Sequence, residues 1–299
     1  MKCRYSEFEK NRKIVIPEVT ITVDSVESII AAVENAVSGD VIGIKAGKYD
    51  MSGTKVKIKQ KDNIVLRSIG GEVIFEGSGF HKKDGYHKTV IDNLLTITDN
   101  SKNILIHGIT FMNSNCHGIK VEGEANVGDI VIDSCNFKNI CERMIKGSKG
   151  DKGYRVPRVV ISNCVFEDSE LPYDTDHTEE FAGDYIAGID MMVLDGAIVY
   201  GNTFRNIKGK YGGGRGAIFL WVESKNLMAE NNIIENCDRG ICFGNPHNTN
   251  GIAHVDGGVI KGNTIRNITS HAIELAWTNN IEICDNKSDK EPADTTPKK

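Results

Sequence analysis

An asparagine-bearing unit recurs down the second half of the chain, and it constrains the fold more than any single motif does. It reads CNFKNI (135–140), CVFEDS (164–169), NTFRNI (202–207), NIIENC (232–237) and NTIRNI (263–268). It fades at DNKSD (285–289) and has a looser forerunner in ITFMNS (109–114). Short apolar strands precede each copy. Self-similarity at roughly 20–45 residues in a turn-rich chain predicts a solenoid, in which each unit buries its apolar side against the next.

Composition agrees with that reading. Thirty-one glycines against six prolines suit many tight turns, and a net charge of −5 leaves no basic stripe for phosphates. A nucleic-acid partner is therefore not expected. No apolar run reaches the ~20 residues of a membrane span, so no membrane partner is expected either. No secretory h-region opens the chain. The expected location is cytoplasmic, or secreted or periplasmic where a signal has been removed. Eight cysteines show neither CxxC nor zinc spacing. Cys135 and Cys164 share one ladder position and should stack about 4.8 Å apart. Free, buried thiols are expected there, with a disulfide as the alternative.

One helix is expected, over 24–38, with Val26, Ile29, Ile30, Val33 and Val37 at helical spacing. Asp24 is its expected N-cap with Glu27 three residues on, and Gly39 its C′ residue. Such a helix caps the open end of a stack, where an unpaired strand edge would otherwise aggregate. Residues 1–289 are read as one domain and 290–299 as a disordered tail. Compact length and the cap predict a monomer.

Asn202, Asn232, Asn263 and Asn286 share one position of the unit, and Asn113, Asn139, Asn206, Asn236 and Asn267 another. Asparagine tolerates left-handed turns, and stacked amides bond from coil to coil. These residues are expected to hold turns rather than ligands.

The segment VSGDVIGIKAGKYD, then KIKQKDNIVLRSIGGEVIFEG, then the repeated units, resembles the right-handed parallel β-helix of the pectate-lyase-like superfamily. The opening part is similar to the chondroitinase B and alginate lyase group, although its Lys and Arg motifs have no counterpart here. The resemblance implies an all-β, single-stranded right-handed parallel β-helix with an N-terminal capping helix. It implies a carbohydrate-active protein without choosing the reaction, because one scaffold hosts many chemistries.

Register supplies candidate residues. With Ile119, Ile145, Ile189, Ile218, Ile241 and Ile273 facing inward, alternation sends Lys120, Lys146, Asp190, Phe219, Cys242 and Glu274 outward. Trp221 follows two residues beyond Phe219. The residues before these isoleucines are mostly small, as at Gly118 and Gly188, and are expected to leave a trough. His117, Arg143, Arg239 and His271 stand beside it. Lys146, Asp190, Lys120, Arg239 and Tyr185 are the expected catalytic set. Trp221, Phe219, Arg143, His117, Glu274 and His271 are expected to bind substrate.

The chemistry expected is β-elimination on a uronate-containing polysaccharide or oligosaccharide. A cation neutralises the carboxylate, one group removes the C5 proton and another protonates the leaving oxygen. The plainer reading of Lys120, Lys146 and Asp190 is a surface ion pair. Phe219 and Trp221 are either a sugar platform or the underside of a loop. Arg239 either reaches Asp190 or staples its own turn. Glu179, Glu180 and Asp184 sit in an acidic insertion (170–186) that either holds calcium through oxygen ligands or is simply solvated. A glycoside hydrolase and a non-catalytic glycan-binding module are the competing functions.

Overall fold

The computed structural model describes residues 4–82, 92–176, 181–247 and 251–297. Its strands pair in parallel throughout, in a nine-stranded and a seventeen-stranded sheet. The larger sheet holds two ladders. One runs from Lys102–His107 through Gly128–Asp133, Val156–Ser162 and Leu194–Tyr200 to Thr278–Cys284. The other runs from Ile109–Ser114 through Asn136–Ile140 and Val165–Glu167 to Lys287–Ser288. The long strands Val41–Asp50 and Val65–Glu76 join them. With the nine-stranded sheet they make the three faces of a parallel β-helix.

The interior is a set of columns. The repeat puts like residues on like rungs, so Phe111, Phe137, Phe166 and Phe204 stack with centroids 5.2, 4.8 and 4.5 Å apart. Each is essentially inaccessible to solvent. The two asparagine positions do different jobs. Asn113, Asn139, Asn206, Asn236 and Asn267 have φ between 53° and 59° and turn the chain. Asn202, Asn232, Asn263 and Asn286 instead form a ladder in which each side-chain amide bonds to the next coil's carboxamide oxygen at 2.8–3.0 Å. Cys135 and Cys164 are free and buried, with the Cys135 amide 3.4 Å from Cys164 Sγ.

The ends differ from expectation. The cap helix spans Val26–Asn35, and its N-cap is Ser25 in a reciprocal pair with Ser28. The helix starts one residue later than expected, and Asp24 pairs with Lys45 at 2.9 Å instead of capping it. The helix ends before Val37, which is exposed, and so does not reach Gly39. Ile29 and Val33 cover the core. A second helix, Arg4–Asn11, was not expected. Its Phe8 packs on an outward row of Val41, Val65, Leu105, Val131, Val160 and Ile198, an apolar stripe that the strands would otherwise present to water. Residues 290–297, expected as a disordered tail, include a last short strand, Ala293–Asp294, paired with Ile273–Ala276.

Candidate functional site

The outer row of the nine-stranded sheet has the expected register. Lys120 pairs with Lys146, Lys146 with Asp190, Asp190 with Phe219, Phe219 with Cys242 and Cys242 with Glu274. What these side chains do is less uniform. Asp190 is 1% exposed and collects three donors. Its Oδ2 accepts from Lys146 Nζ and from Arg143 Nε, each at 2.8 Å, and its Oδ1 accepts from Trp221 Nε1 at 3.0 Å. Burial alone would push this carboxyl up. The Lys146 ammonium and Arg143 guanidinium outweigh burial and hold it below the ordinary carboxylate range. The pair is thus no solvated surface contact: it is the floor of a cavity.

That cavity measures about 360 Å³ and is lined by Arg143, Lys146, Tyr185, Asp190, Arg215 and Trp221, with Phe181, Met192, Phe219 and Asn245. Tyr185 and Phe181 come from the acidic insertion and touch, centroids 4.9 Å apart. The Tyr185 ring lies over the Arg143 guanidinium, whose carbon is 3.9 Å from its centroid. Arg215 reaches in from the glycine-rich stretch 209–216, which no helix follows and which is therefore not a phosphate loop. Its guanidinium lies 4.7 Å from the Phe219 centroid. Phe219 also stacks on Trp221 at 5.0 Å, so it is buried beneath two neighbours. Of the two aromatics expected as a sugar platform, Trp221 alone stays half-exposed.

The remaining candidates are placed elsewhere. Lys120 lies 3.7 Å from Glu122, on the rung next to Lys146, and does not line the cavity. Arg239 staples the turn: it lies 3.2 Å from Glu274 and donates to the Gly213 and Gly214 carbonyls. Glu274 is buried by that pairing and by the Thr295 hydroxyl at 2.9 Å, so neither faces a ligand. His271 bonds its neighbour Ser270. His117 is buried beside Glu142 and Cys116, in a group also held by Lys82. Its Nδ1 accepts from the Arg143 amide, which leaves Nε2 as the protonated nitrogen facing Glu142. The trough is absent, since a Cβ at Gly118 or Gly188 would meet the Phe137 or Phe204 ring at 2.9 Å.

Asp184 Oδ1 accepts from the Tyr211 amide at 2.9 Å, and among the described residues Asp184 belongs to no metal-compatible group. Glu179 and Glu180 lie outside the described residues. The one metal-compatible grouping among the described residues is Cys116, His117 and Glu142. It fits a metal poorly: the inward-facing imidazole nitrogen carries the proton, and the Lys82 ammonium occupies the carboxylate.

The family model for the right-handed β-helix region matches residues 93–292. The chain belongs to that family. This β-helix is similar over 92% of its length to the alginate lyase from Paenibacillus sp. str. FPU-7, covering 96% of that chain at 12% identity and a TM-score of 0.60. It is similar to PfbA, a surface adhesin of Streptococcus pneumoniae, at 13% identity and a TM-score of 0.57, over 89% of this chain and 76% of the other. The PL6 family alginate lyase AlyGC matches at 12% identity and a TM-score of 0.51, over 92% of this chain and 41% of that one. No curated protein sequence matches. Identities this low establish the pectate-lyase-like fold, which is shared with polysaccharide lyases, and they leave the reaction to the site. Among the described residues, no helix is long and apolar enough to cross a membrane.

Proposed function

We propose that this β-helix is a polysaccharide lyase that cleaves a uronate-containing chain by β-elimination. The observation that carries the reading is the cavity floor, where Lys146 and Arg143 are clamped by the buried Asp190 beneath the Tyr185 ring. β-Elimination needs a cation against the uronate carboxylate, so that the C5 proton becomes acidic enough to leave. It also needs a proton-transferring group within reach of C5 and the leaving oxygen. Lys146 supplies the cation, fixed in place by Asp190. Tyr185 is the proton-transferring group: its side chain lines the cavity, with its ring on the Arg143 guanidinium. Asp190 is a positioning residue: three donors occupy it, and it orients Lys146 and Arg143 rather than exchanging a proton. Trp221 gives a half-exposed ring against which a pyranose face can lie.

The glycoside hydrolase alternative draws less support. Such enzymes use a pair of carboxyl groups on either side of the bond. Asp190 is the one carboxylate among the described residues lining this cavity, and it is held ionised.

The test is a screen of alginate, pectate and glycosaminoglycans, with and without calcium, read by ultraviolet absorbance and by mass spectrometry of products. A lyase yields unsaturated uronates lacking the added water of hydrolysis. Saturated products would replace the reading with a hydrolase, and binding without turnover would replace it with a non-catalytic module.

A further inference from the structure

The cavity carries more positive charge than its own residues neutralise. Among the described residues, Arg143, Lys146 and Arg215 line it against one carboxylate, Asp190. Arg143 and Lys146 share that carboxylate. Arg215 has no carboxylate within ion-pairing distance among the described residues, and its side-chain hydrogen bond is a long one, 3.4 Å to Asn245 Oδ1. Burial lowers its tendency to hold a proton, the direction expected of a cation short of partners. Arg143 Nη1 is likewise buried without a hydrogen-bond partner. A buried cation short of partners is costly unless an anion arrives to meet it. The whole chain is net −5, so this surplus is local to the cavity.

The cavity is also closed on one side. On the N-terminal side the outer row is open at Lys120, whose side chain is 29% exposed, and closes again at Thr96 on the rung before it, 4% exposed. Past Phe219 it is roofed. Cys242 is 0% and Glu274 3% exposed. Gly216 sits over the Cys242 sulfur, which a Cβ there would meet at 3.2 Å, and Arg239 and Thr295 cover Glu274. A chain laid along the outer row can therefore enter over Lys120, but it cannot continue beyond Arg215.

We propose that the cavity is a blind pocket for the terminal acidic sugar of its substrate, with Arg215 as the residue that recognises the terminal carboxylate. Cleavage is then exolytic, one short product at a time. The inference rests on the lyase reading for the cleavage step alone; recognition of an acidic end sugar stands without it.

Two measurements separate these parts. In the first, the polymer found active in the screen is digested and followed by viscosity and size-exclusion chromatography. Exolytic action gives monomer- or dimer-sized product from the first time point while the polymer shortens slowly. Arg215→Gln should lower kcat/KM about tenfold or more, the worth of a charge-assisted hydrogen bond, and Arg215→Lys should recover part of it. An early viscosity collapse with a broad ladder of oligosaccharides overturns the blind pocket while leaving the lyase reading intact. In the second, galacturonate, glucuronate, mannuronate and guluronate are titrated calorimetrically into the wild-type protein beside their neutral counterparts. At least one acid should bind about tenfold tighter than its neutral partner. Equal or absent binding of acids and neutral sugars overturns the proposal. Acid-selective binding with every polymer left intact retains the recognition pocket and removes the lyase.

Discussion

Lys146 and Asp190 face each other across adjacent rungs, ammonium to carboxylate at 2.8 Å, with the carboxylate almost wholly inaccessible. Arg143 shares the same oxygen. Removing the acid strands two cations, whereas removing one cation leaves the acid paired. Asp190→Ala should therefore cost about 3–5 kcal/mol of unfolding free energy, and Lys146→Met only about 1–2 kcal/mol. Urea unfolding at neutral pH measures both, and similar losses for the two variants would refute the shared clamp. The pH dependence follows from the lowered carboxyl. A group with a depressed folded value stabilises above its unfolded value, and that gain disappears as pH falls through the folded one. The gap between wild type and Asp190→Ala should thus close below the ordinary aspartate value of 3.8.

Tyr185 can be tested without disturbing the clamp. Its ring lies on the Arg143 guanidinium, a contact that phenylalanine keeps. Tyr185→Phe removes the hydroxyl alone. If Tyr185 moves the proton, kcat on the active polymer should fall by about 10²–10⁴, with stability unchanged within about 0.5 kcal/mol. A kcat within a factor of about three of wild type would pass the role to another group, a change too small for a lost general acid–base.

The fold was legible because it repeats. Spacing alone put Lys146, Asp190 and Phe219 on successive rungs, and the pairing register agrees. Legibility failed where the chain leaves the repeat. Arg215 and Asn245 belong to irregular connections, and nothing local to GKYGGGRG says that its last charge turns back over Phe219. Register also gives direction but not cover. Phe219, Cys242 and Glu274 do point outward, yet neighbours from irregular connections and the C-terminal segment fold over them and bury them. Arg239 takes the second of its two expected roles, the turn staple and not the catalytic one, because a cation beside a turn finds the nearest buried acid, here Glu274 rather than Asp190. Helix Arg4–Asn11 is short and charged, and only the apolar outer stripe beneath Phe8 explains why it docks.

His117 should show itself in the acid limb of stability. Burial pushes its imidazole down; Glu142 pulls it back up; Lys146, Lys120 and Arg143 push it down again, to about 4 against an ordinary 6.5. The folded protein therefore holds it neutral, while the unfolded chain binds a proton below 6.5. Its contribution is full above that value and is lost as pH falls towards 4. Wild type should lose up to about 3 kcal/mol across this window, at about 1.4 kcal/mol per pKa unit, that His117→Gln does not lose. Unfolding free energies at closely spaced pH values give the comparison. Parallel curves for the two proteins would show that the imidazole is solvated and the burial argument mistaken.

The two asparagine positions should respond oppositely to substitution. Asn232 is buried, and its Oδ1 accepts from both the amide and the side chain of Asn202 at 3.0 Å. Its Nδ2 donates to the Val199 carbonyl at 3.0 Å and to Asn263 Oδ1 at 2.9 Å. Alanine there orphans donors and an acceptor that water cannot reach, each costing about 1–3 kcal/mol, so Asn232→Ala should lose about 3–5 kcal/mol. Asn236 is exposed and has φ of 56°. The bonds of its side-chain amide with Asn206 Oδ1 and Lys208 Nζ, each at 2.6 Å, are exposed and can be replaced by water, so tolerance of the left-handed region dominates: Asn236→Ala should cost about 1–2 kcal/mol, whereas glycine, free of the Cβ clash, should stay within about 0.5–1 kcal/mol of wild type. Chemical unfolding of Asn232→Ala, Asn232→Gly, Asn236→Ala and Asn236→Gly decides it. Glycine should rescue position 236 and not 232, because a left-handed turn asks only for backbone freedom while the ladder asks for an amide on every coil.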